Sequence, residues 1–198
     1  SLGGVGPLGI AFVGNGVIIS DGDGYVRSLP ARMDGQIIPA VDSSTPFYNF
    51  VGAMGLAELN GQYYAGGYFN NPGLLRISST GVFQSNVSND RLRSIAVDSV
   101  HNVLYAAGTG IFRYDPIANS YTSLASLIPD LNTEVDGITT DGTILYATSS
   151  FTGNGWESVR GYRLSDGVMV FDSGRIDGVD GAILGQGSLA GKLYANTN

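Results

Sequence analysis

Residues 94–108 read SIAVDSVHNVLYAAG, which is two apolar segments of strand length joined by a short polar stretch. β-Branched and aromatic residues favour strands, and a polar stretch between two such runs favours a hairpin. The first segment opens with the phrase Ser94-Ile95-Ala96, and similar phrases recur at intervals of 46, 39, 43 and 44 residues, which indicates a repeat protein. The other copies are Gly9-Ile10-Ala11, Gly55-Leu56-Ala57, Gly137-Ile138-Thr139 and Gly181-Ala182-Ile183.

Further strand-like runs follow the opening phrase in each repeat. The second runs are 17–19, 63–65, 103–106, 144–147 and 192–195; the third are 25–29, 74–78, 111–115 and 160–164; the fourth are 36–41, 82–87, 120–124 and 168–172. Four short strands in a repeat of this period predict an all-β chain made of β-propeller blades. A single β-sandwich is the alternative, but it would not require such regular phrasing.

Tight turns separate the first and second runs in three of the repeats. Their residue pairs are Asn15-Gly16, Asn60-Gly61 and Asp141-Gly142. Such pairs favour the positive φ angles of a type I′ turn, whose twist matches that of the strands on either side. We therefore expect antiparallel hairpins at these three places.

The repeats predict a single propeller domain over residues 1–198. Their bounds are about 9–54, 55–93, 94–136, 137–180 and 181–198, the last with two strands only. Four complete blades and one half blade leave a sheet edge unpaired, and proteins usually cover such edges. We therefore expect a fragment of a longer propeller of six blades, completed by a missing C-terminal segment or by another chain.

Charge and composition narrow the classes of partner. The chain has 10 Lys and Arg against 17 Asp and Glu, a net charge of −7 and a pI near 4.4, so a nucleic acid is not an expected partner. Cysteine is absent from the sequence, which removes disulfides and thiolate metal sites. The sequence contains no apolar run of about 20 residues, so no membrane span is expected.

The third repeat carries a family resemblance. Ser94 to Asp98, Asn102 to Gly108 and Ile111 to Pro116 together resemble one blade of the NHL and SMP-30-like propellers. The closing stretch from Asp180 to Asn198 is similar to secreted bacterial propellers, many of which carry a PEP-CTERM-type sorting signal. The resemblance implies a β-propeller fold and a location that is extracellular, periplasmic or at the cell surface.

Three carboxylates are candidates for a metal site. Asp136 and Asp180 each precede a glycine at the start of a first strand, and Glu58 stands where other repeats have Phe12 and Val97. Related hydrolases bind a divalent cation near the propeller axis with carboxylate and Asn ligands, and Ca²⁺ takes six or more oxygens. The resemblance therefore implies Ca²⁺ or another divalent cation as the one cofactor to consider. Turn chemistry for the Asp-Gly pairs and a solvent-exposed strand end for Glu58 are the alternatives.

The longest connections between strands are expected on one face of the blades. They span 42–54, 66–73, 129–135 and 148–158, and we call this side the long-loop face. Loops on a rigid scaffold are where binding usually resides, and aromatic side chains suit sugar rings or protein surfaces. The candidate ligand-binding residues are Phe47, Tyr48, Tyr68, Phe69, Phe151 and Trp156. Packing of these aromatics within the loops or the blade junctions is the alternative.

Three functions remain open from the sequence. The first is a non-catalytic extracellular module that binds a glycan or protein through the long-loop face. The second is a structural repeat of an envelope protein, and the third is a metal-dependent lactonase or esterase of the SMP-30 type. No catalytic residue is assigned, because the sole histidine, His101, falls in a hairpin on the opposite side and is interpreted as a solvated turn residue.

Overall fold

The structure, a computed structural model, describes residues 7–13, 16–21, 25–30, 48–49, 53–68, 72–149, 157–185 and 189–197. Within these residues the chain is mainly β-strand, and a 3₁₀ turn lies at Pro129–Leu131. None of their helices has the length and apolar character needed to cross a membrane. The chain divides into two compact units, residues 1–93 and 94–198.

The first unit holds two four-stranded antiparallel sheets. The strands of the first sheet are β1 (Pro7–Val13), β2 (Gly16–Asp21), β3 (Tyr25–Pro30) and β4 (Tyr48–Asn49). Those of the second are β5 (Ala53–Leu59), β6 (Gln62–Gly67), β7 (Gly73–Ser78) and β8 (Phe83–Ser88). Each strand pairs with the next in chain order, and the two first strands, β1 and β5, contact each other.

The second unit repeats this arrangement. The third sheet of the chain contains β9 (Leu92–Asp98), β10 (Val103–Gly108), β11 (Ile111–Asp115) and β12 (Ser120–Ser123). Its first strand, β9, begins in the last two residues of the first unit. The fourth contains β13 (Gly137–Thr140), β14 (Ile144–Ser149), β15 (Ser158–Arg163) and β16 (Met169–Asp172). A two-stranded sheet of β17 (Val179–Leu184) and β18 (Leu193–Thr197) follows.

The fold class expected from the repeats is confirmed. The described residues form four sheets of four strands and one of two strands, all in the up-and-down order of propeller blades. The expected fourth strand at 36–41 lies outside the described residues. The fourth strand of the first sheet is Tyr48–Asn49 and β5 begins at Ala53, so the expectation that 42–54 is entirely loop is wrong at 48–49 and at 53–54.

The hairpin turns follow the sequence prediction in one described case and depart from it in another. Asn60 and Gly61 have φ angles of 55° and 74°, as a type I′ turn requires. At Asp141-Gly142 only Gly142 has a positive φ. The reason is that Oδ1 of Asp141 accepts hydrogen bonds from the N–H groups of Thr143 and Ile144, at 2.8 and 2.7 Å, and closes a three-residue loop instead.

The core of the second unit lies between its two four-stranded sheets. Buried apolar residues from β9, β10, β13 and β14 meet there, and the connection from β12 to β13 covers one end of the cluster with Ile128, Leu131 and Val135. The outermost strand of the fourth sheet, β16, is exposed at all four residues. The fourth strand is therefore the least buried strand of this sheet.

First strands of successive sheets in the second unit contact one another directly. Oγ of Ser94 on β9 accepts a hydrogen bond from the N–H of Ile138 on β13 at 3.2 Å. Oγ1 of Thr139 on β13 accepts one from the N–H of Leu184 on β17 at 3.4 Å. These hydroxyl bridges fix the register between neighbouring blades without any strand pairing between the sheets.

Candidate functional site

The long-loop face of the first unit carries an aromatic residue stacked with arginines. Tyr68 follows β6, and Arg91 and Arg93 lie in the connection into β9 and at its start. The guanidinium carbon of Arg93 lies 4.2 Å from the centre of the Tyr68 ring, and that of Arg91 lies 5.9 Å from it. All three residues belong to the first unit.

This cluster has the exposure of a binding surface. Tyr68 and Arg93 are half-buried, whereas Arg91 is exposed. A guanidinium over a tyrosine ring gains roughly 0.5–2 kcal/mol, and the stack limits the orientations the arginine adopts. The N–H groups at the edge of a stacked guanidinium can still form paired hydrogen bonds with a carboxylate, sulfate or phosphate. We call Tyr68, Arg91 and Arg93 the Tyr68 cluster.

The other predicted ligand-binding aromatics are placed only in part. Tyr48 lies on β4, where its backbone pairs with Val26 of β3. Phe47, Phe69, Phe151 and Trp156 lie outside the described residues. Tyr68 is therefore the predicted aromatic for which the structure gives a side-chain environment.

The predicted metal ligands have separate structural surroundings. Oε1 of Glu58 accepts a hydrogen bond of 2.6 Å from the N–H of Gly61, in the hairpin that ends β5. Asp136 directly precedes β13, and Asp180 is the second residue of β17. Both therefore lie at the start of a first strand, whereas Glu58 lies near the end of one. Among the described residues no group of three His, Cys, Asp or Glu side chains could hold a metal ion.

The backbones of Asp136 and Asp180 are joined by Thr148. The N–H of Asp136 donates to the carbonyl of Thr148 at 3.0 Å, and the Thr148 hydroxyl lies 3.3 Å from the carbonyls of Gly137 and Asp180. Thr148 is fully buried and Asp136 nearly so, with 7% of its surface exposed. These contacts give the two Asp-Gly pairs a role in the junction between two sheets of the second unit.

The second unit has a pocket on its hairpin side that was not predicted from the sequence. It has a volume of about 380 Å³ and lies among three hairpins and the middle of β10 and β11. Its lining residues are His101, Tyr105, Arg113, Gly142, Thr143, Leu164 and Ser165. We call it the hairpin pocket.

His101 in this pocket is held by a buried carboxylate. Its Nδ1 lies 2.8 Å from Oδ2 of Asp98, whose side chain is fully buried, whereas 57% of the His101 side chain is exposed. Oδ1 of Asp98 accepts hydrogen bonds from the N–H groups of Val100 and His101, at 3.1 and 3.0 Å. His101 lies in a turn, as expected from the sequence, but its contact with the Asp98 carboxylate was not predicted.

Tyr105 and Arg113 face each other across β10 and β11 in the wall of the pocket. They are register partners, so their side chains lie on the same face of the sheet. Burial raises the pKa of the Tyr105 phenol, the negative charge of Asp98 raises it further, and Arg113 opposes both effects. Nη2 of Arg113 also lies 3.6 Å from Oδ2 of Asp115.

Part of this pocket had a signal in the sequence. Asp98 comes three residues before His101, and at this spacing the carboxylate of an aspartate can close a hairpin turn. The Tyr105–Arg113 pair follows from the hairpin register, because period-two counting across the β10–β11 turn brings these positions together. The approach of Thr143 and Ser165, which come from another sheet, had no local signal.

Comparison with known proteins supports the fold. No protein-family model matches the sequence, and no curated protein matches it either. Many solved structures do match, among them hydrazine synthase from Kuenenia stuttgartiensis, a propeller protein, with a TM-score of 0.65 and 15% sequence identity. The match covers 90% of this chain and 52% of that chain, so the present chain spans about half of its length.

The blades are those of a β-propeller. At 15% identity the match concerns the fold alone, and no activity of hydrazine synthase is transferred with it. In the first unit the Tyr68 cluster lies at the long-loop ends of the strands, and in the second unit the hairpin pocket lies at the hairpin ends. Each site lies within one of the two units.

Proposed function

We propose that this propeller chain is a non-catalytic binding module that recognises an acidic glycan through its long-loop face. The observation that carries the proposal is the stack of Arg93 on Tyr68, with 4.2 Å between the guanidinium carbon and the ring centre. We further propose that it is an NHL or SMP-30-like propeller of the secreted bacterial type. An extracellular, periplasmic or cell-surface location follows from that affiliation.

The charge of the cluster favours an anionic ligand. The chain has only 10 Lys and Arg among 198 residues and a net charge of −7, yet Arg91 and Arg93 both lie beside one aromatic ring. Sulfate and carboxylate groups of polysaccharides accept the paired hydrogen bonds that a guanidinium offers. The aromatic edge of Tyr68 adds an apolar contact for the C–H face of a sugar ring.

The loop geometry supports a recognition role for this face. Gly73, at the start of β7, has a φ of 141°, and a β-carbon there would collide with the carbonyl oxygen of Ser88. The β6–β7 loop therefore ends tightly against the end of β8, just before the connection that carries Arg91. A tight backbone at this point limits the conformations of the connection that carries Arg91, which lowers the entropy cost of binding.

The test is binding of the full chain to a matched pair of polysaccharides, κ-carrageenan, which is sulfated, and agarose, which is not. We expect binding to carrageenan that weakens as salt is added, and no binding to agarose. Tyr68→Ala and Arg93→Gln should each weaken carrageenan binding about tenfold or more, the loss expected for one charge-assisted contact. Lys192→Gln, which removes a positive charge from an exposed position elsewhere, should leave binding unchanged.

Two results would contradict the proposal. One is equal binding of the two polysaccharides, and the other is carrageenan binding that survives both Tyr68→Ala and Arg93→Gln. Thermal unfolding of each variant, followed by circular dichroism, separates loss of the ligand contact from loss of the fold.

A further inference from the structure

The hairpin pocket has the features of a small-molecule site, and it is independent of the Tyr68 cluster. Its volume of about 380 Å³ falls in the range of about 300–1,000 Å³ that is typical of ligand pockets. Such pockets combine apolar walls with a few converging polar groups. Here Tyr105 and Leu164 supply apolar surface, and His101, Arg113, Thr143 and Ser165 supply polar groups.

The Asp98 carboxylate determines which atom His101 offers to a ligand. Because Oδ2 of Asp98 lies 2.8 Å from Nδ1 of His101, the proton of the neutral imidazole resides on Nδ1. Nε2 is then the atom that accepts a hydrogen bond. A hydroxyl group of a ligand is the natural donor to it.

Arg113 provides a fixed cationic group in the same pocket. Arg113 is the register partner of Tyr105, and its contact with Asp115 holds the guanidinium against the wall formed by β10 and β11. Asp115 is in turn engaged by the N–H groups of Ile117 and Ala118, at 3.0 and 2.9 Å. A guanidinium has five N–H donors, so donors remain for a carboxylate after these contacts are made.

We propose that the hairpin pocket binds a small hydroxylated carboxylate of the size of a monosaccharide acid. In this arrangement Arg113 binds the carboxylate, and Nε2 of His101 accepts a hydrogen bond from a ligand hydroxyl. The hydroxyl groups of Thr143 and Ser165 bond further ligand oxygens. The ring of Tyr105 and the side chain of Leu164 cover the C–H surface of the ligand.

The experiment compares D-galacturonate with D-galactose, which differ in one carboxylate, by isothermal titration calorimetry on the full chain. We expect measurable binding of galacturonate and binding of galactose that is at least about tenfold weaker, since a charge-assisted hydrogen bond is lost. Arg113→Gln should weaken galacturonate binding by about the same factor. Arg163→Gln is the matched control, because Arg163 pairs with Asp166 in the hairpin that contributes Leu164 and Ser165 but does not line the pocket.

A second measurement on the unmodified protein covers the case in which Arg113→Gln does not fold. Galacturonate should shift the amide NMR signals of Gly142, Thr143, Leu164 and Ser165, and Tyr68→Ala should leave these shifts in place. Absence of galacturonate binding, equal affinity for galactose, or shifts that avoid these four amides would each overturn the proposal. The persistence of binding in Tyr68→Ala distinguishes this site from the one on the long-loop face.

Discussion

The α-carbon of Gly181 lies 2.7 Å from the position that a side-chain β-carbon at Gly137 would occupy. The Thr148 hydroxyl and the Asp180 carbonyl lie 2.8 and 3.1 Å from the same position. The first strands of two successive sheets, β13 and β17, therefore approach through glycine backbone at this point. The glycine that opens most copies of the repeat phrase is, at this junction, a requirement of packing between blades.

The change Gly137→Ala tests this junction. A methyl group would collide with backbone atoms on β17, which cannot move aside as a flexible side chain can, so we expect a loss of about 1–3 kcal/mol in the free energy of unfolding. Urea unfolding monitored by tryptophan fluorescence and circular dichroism measures it. The control is Gly110→Ala, where a β-carbon would meet the Phe112 ring at an ordinary 3.6 Å and the expected change is within about 0.5 kcal/mol. Equal stability of the two variants would show that the junction can open without cost.

The architecture was predictable because its signals are local and repeated. Strand runs, Asn-Gly turns and the period of the phrase each depend on residues close in sequence, and five copies reinforce one another. The strand predicted at 111–115 has the same bounds as β11 in the structure. Asp141 shows the limit of this reasoning, since its side chain accepts two backbone hydrogen bonds and replaces the expected turn type.

The buried carboxylate of Asp98 gives a second prediction. Asp98→Ala removes the acceptor of two partly buried hydrogen bonds, from the N–H groups of Val100 and His101, and each is worth about 0.5–1.5 kcal/mol, so we expect a loss of about 1–3 kcal/mol in the free energy of unfolding. His101→Asn removes only the contact between the imidazole and the carboxylate. Because the His101 side chain is 57% exposed, its loss should cost less than about 1 kcal/mol.

Urea unfolding of both variants at neutral pH measures the two losses. If Asp98→Ala lowers the free energy of unfolding clearly more than His101→Asn does, the stability of the hairpin depends on the carboxylate and not on the imidazole. The reverse order would mean that the His101 contact stabilises the hairpin and that the backbone hydrogen bonds contribute little.

The candidate sites were less predictable than the fold, for a physical reason. Tyr68 was a candidate from the sequence because aromatic residues in long loops favour binding, but its stack with Arg93 joins the residue after β6 to the start of β9. The hairpin pocket combines residues of two sheets, and the contact between sheets depends on how blades pack. The composition and the repeat period carry no information about that packing, so Thr143 and Ser165 could be assigned to the pocket only from the structure.

The buried phenol of Tyr105 predicts a loss of stability at alkaline pH. Burial and the charge of Asp98 raise the pKa of Tyr105 above its ordinary value of 10.0 in the folded chain. In the unfolded chain the phenol ionises near pH 10, so the neutral folded form is favoured fully below that pH. As pH rises from 10 through the raised pKa, the unfolded state loses its proton first, and the contribution of Tyr105 to stability is lost.

The change Tyr105→Phe separates this effect from general alkaline unfolding. Below pH 10 the variant loses the polar interaction of the phenol with Arg113, so it should be less stable than the unmodified protein by about 0.5–1.5 kcal/mol. Above pH 10 this difference should shrink, since phenylalanine does not ionise and the variant lacks the alkaline loss. Tyr162→Phe should also lack the alkaline loss, because burial raises the pKa of Tyr162 as well. Urea unfolding at a series of pH values checks this, and a difference that stays constant across pH 10 for both variants would show that neither phenol is shielded from ionisation in the folded protein.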